Sequence, residues 1–260
     1  MNPSLSGAVL VVSGSTQGVG RAVALEAARH GAEAVLVCGR DGARGAGVVA
    51  EVEALGARAR FCAVDLAQEG AADATADAAL SAFGRIDMLV NAAGLTDRAS
   101  VLDAEPGLWD RLHTVNAKAP FFLMQRAIRD MRERGKPGAI VNVLSMNVHG
   151  GTADLAVYAS SKAALALLTK NAAHAHRFDR IRINGINMGW ADTPAERVMH
   201  ADTLGKGPGW LEGEATRQPF GRLLSADDVA RLALFLLSPA SEPMTGALID
   251  QEQWVMGPRD

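Results

Sequence analysis

The chain has 260 residues, 48% of them hydrophobic, which is enough to bury a substantial core; α/β folds of this length are often a single domain, and one domain over 1–260 is expected. The net charge of -3 comes from interspersed charges with no long basic run, which removes the electrostatic case for nucleic acid or an anionic membrane as partner. No apolar stretch approaches a membrane span and no targeting segment is visible; Cys38 and Cys62 sit in apolar, strand-like stretches and read as free thiols, fitting a reducing, cytoplasmic setting.

The first element is Ala8 to Val12, a continuous apolar run rich in β-branched residues, as expected of a short strand buried on both faces. It leads into Ser13-Gly-Ser-Thr-Gln-Gly-Val-Gly20, and Arg21 to His30 then reads as a helix ended by Gly31. Strand, glycine turn and helix in succession make a dinucleotide-phosphate site, with the helix N-terminus facing the pyrophosphate. Gly14 permits the tight turn, Gly18 the close backbone approach, and Gly20 the packing of helix on strand. Ser15, Gln17 and Val19 complete the expected contacts.

The second apolar run, Ala34 to Cys38, ends in Gly39-Arg40-Asp41. In such a fold this strand end meets the adenosine ribose, where an arginine pairs with a 2′-phosphate and an acidic residue accepts from a free 2′-hydroxyl. Arg40 therefore favours NADP(H), Asp41 keeps NAD(H) open, and a solvated turn is the bland alternative. Helical sequence over 42–55 leads to a third strand over 59–64 that ends in Asp65-Leu66, where the aspartate can cap the next helix whether or not it also meets a ligand. Helix 70–83 and strand 86–90 follow, then Asn91-Ala-Ala-Gly94, whose small residues allow the backbone close to a cofactor.

Residues 106–133 have helical spacing and include Asn116, which is costly to bury unpaired and so requires partners; it either serves the site or bends the helix. Strand 139–144 delivers Ser145 at its carboxyl end, where ligands sit in open α/β sheets. Nearby His149 is a possible substrate contact or merely a solvated loop residue. Tyr158, the only tyrosine, has Lys162 four residues on; in a helix both face one side, and a cation beside a phenol lowers its pKa toward that of a working acid/base. A structural tyrosine with an incidental lysine is the alternative. Strand 181–186 leads to Asn187-Met-Gly-Trp-Ala-Asp-Thr-Pro194; residues 195–220 lose clean periodicity and read as a substrate lid. Helix 226–237 and strand 247–249 complete the pattern. No metal is called for, since His174 and His176 lie two apart on a helix and cannot face one ion.

The Gly-x-x-x-Gly-x-Gly loop, Asn91 to Gly94, Ser145 thirteen residues before Tyr158, and Tyr158-x-x-x-Lys162 together resemble the short-chain dehydrogenase/reductase family, in its branch of roughly 250 residues, over nearly the whole chain. Departures are Ala92 for an asparagine, Leu144 for the first of a serine pair, and Met188 for a proline beside Gly189 and Thr193, which removes a fixed φ near the nicotinamide. The resemblance implies a Rossmann-type doubly wound sheet of about seven parallel strands flanked by helices. It also implies an NAD(P)-dependent oxidoreductase acting on a secondary alcohol or ketone, and a homotetramer or dimer built on the helices beginning near Pro106 and Tyr158. Within it Tyr158 is the general acid/base, Ser145 holds the substrate oxygen, Lys162 lowers the phenol pKa and binds the nicotinamide ribose, and Asn116 anchors a relay water. Asp65, Leu66, Asn91, Ala92, Gly94, Gly189 and Thr193 join the cofactor contacts. A catalytically silent nucleotide-binding regulator, or a dehydratase or epimerase working through a keto intermediate, would share the fold.

Overall fold

The computed structural model describes residues 3–256; the ends of the expected 1–260 domain lie outside the described residues. Seven parallel strands form one sheet in the order β3-β2-β1-β4-β5-β6-β9. They are β1 (Val9–Ser13), β2 (Ala34–Gly39), β3 (Arg58–Ala63), β4 (Met88–Asn91), β5 (Gly138–Val143), β6 (Ile181–Met188) and β9 (Leu248–Gln251).

Alternation along the central strands explains why their sequences are apolar without a break. Leu10 and Val12 of β1 join a core beneath α1 (Gly18–Arg29), α2 (Gly42–Ala54) and α9 (Ala226–Leu237), whereas Val11 points to the opposite face. That second face is covered by α3 (Ala71–Phe83), α5 (Ala119–Glu133) and α6 (Ala156–Ala175). At β1 the chain order reverses, because β2 pairs on one side and β4 on the other. A crevice opens there beyond the carboxyl ends of the strands, the usual ligand position of such sheets.

The expected long helix over 106–133 is interrupted. It consists of α4 (Pro106–His113), a π-helical turn over Thr114–Lys118, and α5. Pro120 has no N–H for the carbonyl of Asn116 four residues back, so the ladder widens around Asn116. Helix α1 begins at Gly18, earlier than its apolar pattern shows, and β6 runs on through Met188.

Residues 194–220 hold α7 (Pro194–Val198), a π-helical turn over Met199–Thr203 and α8 (Trp210–Ala215). The base of this excursion is closed by β7 (Ala191–Asp192) pairing parallel with β8 (Leu224–Ser225). No helix among the described residues is long and apolar enough to cross a membrane.

Candidate active site

A cavity of about 920 Å³ occupies the crevice and runs from Arg40 and Asp65 past the glycine loop to Tyr158 and α7. Among the expected residues, Gly14, Gln17, Gly18, Val19, Arg40, Asp65, Leu66, Ala92, Gly94, Ser145, Tyr158, Lys162, Gly189 and Thr193 line it. Ser15, Gly20, Asn91 and Asn116 do not.

Those four act behind the wall. Ser15 is fully buried, where its hydroxyl donates to the Val12 carbonyl at 2.7 Å and accepts from the Cys38 N–H at 2.9 Å, clamping β1 to β2. A Cβ on Gly20 would lie 2.4 Å from the Gly14 carbonyl oxygen, so this glycine lets α1 press on the loop. Asn91 donates to Asn142 Oδ1 at 2.8 Å inside the sheet. Asn116 clasps one residue, accepting from the Leu95 N–H and donating to the Leu95 carbonyl, each at 2.9 Å, and its amide also donates to Ser161 Oγ at 2.9 Å.

The glycine loop is shaped for close approach. Gly14 has φ +66°, and a Cβ there would stand 2.6 Å from Ala93 Cα; Gly18, at φ +55°, opens α1 with its N-terminus toward the cavity. At the adenosine end Arg40 is exposed and engages no hydrogen bond or ion pair among the described residues. Asp41 instead caps α2, accepting from Arg44 N–H at 2.9 Å and Arg44 Nε at 2.6 Å, bonds that hold its carboxyl below the ordinary value. Arg44 also donates to the Gln17 side chain. Asp65 is not a helix N-cap: it accepts from Ala67 N–H at 3.0 Å, while α3 starts behind Gly70.

Tyr158 and Lys162 occupy the first turns of α6 and, with Ser145 beyond β5, converge on the cavity. Burial pushes the phenol up to about 12; facing Ser145 draws it back slightly, and the charge of Glu196 pushes it further up. The Lys162 ammonium donates to the Val143 carbonyl at 2.8 Å, and burial pushes it down to about 8. The expected lowering of the phenol by this lysine is therefore not what the site displays, because desolvation outweighs every charge near the ring. A Cβ on Gly94 would lie 3.3 Å from Lys162 Nζ and 3.6 Å from Asn116 Oδ1, close enough to crowd the lysine head.

At the nicotinamide end the missing proline is compensated by the sheet. Met188 pairs with Gln251, and Gly189 N–H donates to the Gln251 carbonyl at 2.9 Å, fixing a backbone that proline would otherwise restrict. Thr193 caps α7 through a hydrogen bond from Glu196 N–H at 3.3 Å. His149 lies outside the cavity, 3.1 Å from Asp250.

Trp190, Glu196, His200 and Glu252, to which the sequence assigns no role in the site, also stand in the wall. Glu196 Oε1 accepts from Trp190 Nε1 at 2.8 Å and lies 2.9 Å from His200 Nε2, a close contact without the alignment of a hydrogen bond. Glu252 sits where a Cβ on Gly189 would be, 2.3 Å from its Oε2. A carboxylate beside a histidine in an aperiodic segment was the only available signal.

The family described as enoyl-(acyl carrier protein) reductase matches residues 14–251. The short-chain dehydrogenase/reductase FrzI of Cladobotryum sp is 30% identical over 95% of both chains. The cis-4-hydroxycyclohexanecarboxylate dehydrogenase of Sinomonas cyclohexanicum is 33% identical over 96% of both. The crystal structure of L-sorbose reductase from Gluconobacter frateurii, complexed with NADPH and L-sorbose, superimposes with a TM-score of 0.90 at 29% identity, over 97% of this chain and 98% of that one. Sheet order, glycine loop and relatives agree: the chain belongs to the short-chain dehydrogenase/reductase family.

Proposed function

We propose that the chain is an NAD(P)-dependent dehydrogenase/reductase that interconverts a secondary alcohol and a ketone, with Tyr158 as general acid/base. The observation that carries this reading is that Ser145, Tyr158 and Lys162 share one cavity with the glycine loop. The residues fit a dinucleotide: glycines stand where any Cβ would collide at Gly14 or crowd Lys162 at Gly94, and the N-terminus of α1 is presented to a diphosphate. Arg40 would hold a 2′-phosphate, Asp65 and Leu66 the adenine, and Gly189, Thr193 and Lys162 the nicotinamide end. When bound, the nicotinamide supplies the hydride acceptor or donor.

The chain's own groups handle the proton. With its pKa near 12 the phenol is protonated at neutral pH and ready to donate to a carbonyl oxygen being reduced. Ser145 Oγ accepts from the Asn147 N–H at 3.1 Å, which leaves the hydroxyl proton for the same substrate oxygen as charge develops there. Oxidation needs the phenol oxygen as acceptor, and Lys162 lies on the same helical face, one turn on from it. Asn116 fixes the Leu95 backbone from behind the wall. Residues 195–220 serve as the lid over the substrate end.

A homotetramer or dimer is supported by the exposed Trp109, Phe121 and Leu167 on α4, α5 and α6. The free thiols of Cys38 and Cys62 fit a cytoplasmic location and a single domain fits the continuous sheet. The test is a panel of secondary alcohols and ketones with NADPH and NADH, read by nicotinamide absorbance. Turnover supports the reading; tight cofactor binding without turnover across the panel would favour a silent nucleotide-binding protein.

A further inference from the structure

The substrate end of the cavity has a chemistry of its own. Glu196 is held in place through one oxygen only: Trp190 Nε1 and His200 Nε2 both approach Oε1, at 2.8 and 2.9 Å, while Oε2 engages no protein partner among the described residues and stays accessible. This carboxylate lines the same cavity as Tyr158, near enough that its charge is felt at the phenol. Behind it three rings stack, His200 on Trp210 with centroids 4.5 Å apart and Trp190 on Trp210 at 5.7 Å. Trp190 and His200 form an aromatic wall, backed by the buried Trp210.

Two arginines along this end are ion-paired, and the lysine is hydrogen-bonded. Arg98 pairs with Asp154 and Arg111 with Asp97, each at 2.5 Å, and the Lys162 ammonium is held by the Val143 carbonyl. Glu196 would repel a carboxylate or phosphate placed beside it on the substrate. A fixed carboxylate with one free oxygen is instead an acceptor for a hydroxyl, and the ring wall suits the C–H face of a compact polyhydroxylated carbon skeleton.

We infer that Glu196 is a specificity-determining residue that selects a neutral, polyhydroxylated substrate, a polyol, sugar or hydroxyketone, by accepting a hydrogen bond from a hydroxyl other than the one that reacts. The inference rests on the proposed alcohol/ketone activity. Its test is the ratio of kcat/KM for cis- and trans-1,2-cyclohexanediol to that for cyclohexanol, and for sorbitol and xylitol to that for 2-hexanol. The ratios are measured with wild type, Glu196→Leu and the isosteric Glu196→Gln, and NADPH fluorescence titration reports that each variant keeps its cofactor site. The expected result is a wild-type ratio above one in at least one series that falls about tenfold or more in Glu196→Leu, mainly through KM, and by less in Glu196→Gln. Wild-type turnover without preference for the second hydroxyl, or a preference that survives in both variants, overturns the assignment and leaves the oxidoreductase reading standing. Absence of turnover of every alcohol and of the corresponding ketones, with NADPH bound, overturns both.

Discussion

Lys162 donates its ammonium to the main-chain carbonyl of Val143 at 2.8 Å, so the cation sits at the end of β5 beneath the strand that delivers Ser145. One hydrogen bond does not compensate the loss of water around a buried charge, and the ammonium is pushed from 10.5 down to about 8.

The first prediction follows from that shift. Between pH about 8 and 10.5 the unfolded chain holds a proton on this lysine that the folded chain has released, so stability rises with pH across this window, by about 3 kcal/mol for a shift of this size. Below it the full penalty of the buried charge applies. In Lys162→Met this rise disappears, and the variant gains stability relative to wild type at neutral pH compared with pH 10. Urea midpoints from pH 7 to 10 check it, and parallel profiles for the two proteins would exclude it. Tyr158 has the opposite sign: its phenol moves from 10.0 up to about 12, so its contribution declines only above pH 10.

Removing the phenol oxygen separates chemistry from binding. Tyr158→Phe should lower kcat about a thousandfold or more and leave the Kd for NADPH within about twofold, since the ring still fills its buried position. Stopped-flow turnover and fluorescence titration give the two numbers. Wild-type turnover in this variant would remove Tyr158 from the mechanism.

Cofactor choice is expected to depend on Arg40 and not on Asp41, whose carboxylate is occupied at the start of α2. Arg40→Ala should weaken NADPH about tenfold with little change for NADH. Asp41→Ala should cost about 1 kcal/mol of stability as a lost helix cap without altering the NADPH to NADH ratio. Tighter NADH than NADPH in the wild type would reverse the assignment.

Asn116→Ala should be destabilising by about 2–4 kcal/mol, because the N–H and carbonyl of Leu95 both lose their partner in a part-buried place. The same change loosens the backbone beside Gly94 that faces Lys162, so kcat should fall as well. Denaturant unfolding and turnover are the measurements; a loss of activity with full stability would mean that Asn116 acts only on the reaction.

Much of this arrangement was legible locally. Short apolar runs marked the central strands because both faces of a parallel sheet are buried, and Gly14, Gly18, Ser145, Tyr158 and Lys162 were readable because each depends on a turn, a strand end or one helical face. Ser15 and Asn91 are expected cofactor contacts, and their side chains hydrogen-bond inside the sheet. Whether a polar side chain faces the crevice or the neighbouring strand depends on partners 23 and 51 residues away.

The sequence by itself determined the order of the elements, the family and most of the residues that line the crevice, because periodicity and spacing act over a few residues. Only the tertiary structure decided the electrostatics of the site and which side chains face its substrate end. Burial sets Tyr158 near 12 and Lys162 near 8, and the aperiodic 195–220 stretch acquires meaning only when α7 folds back over the cavity and Trp190 fixes Glu196 beside the phenol. Desolvation and long-range contact are properties of the packed chain, and no local pattern encodes them.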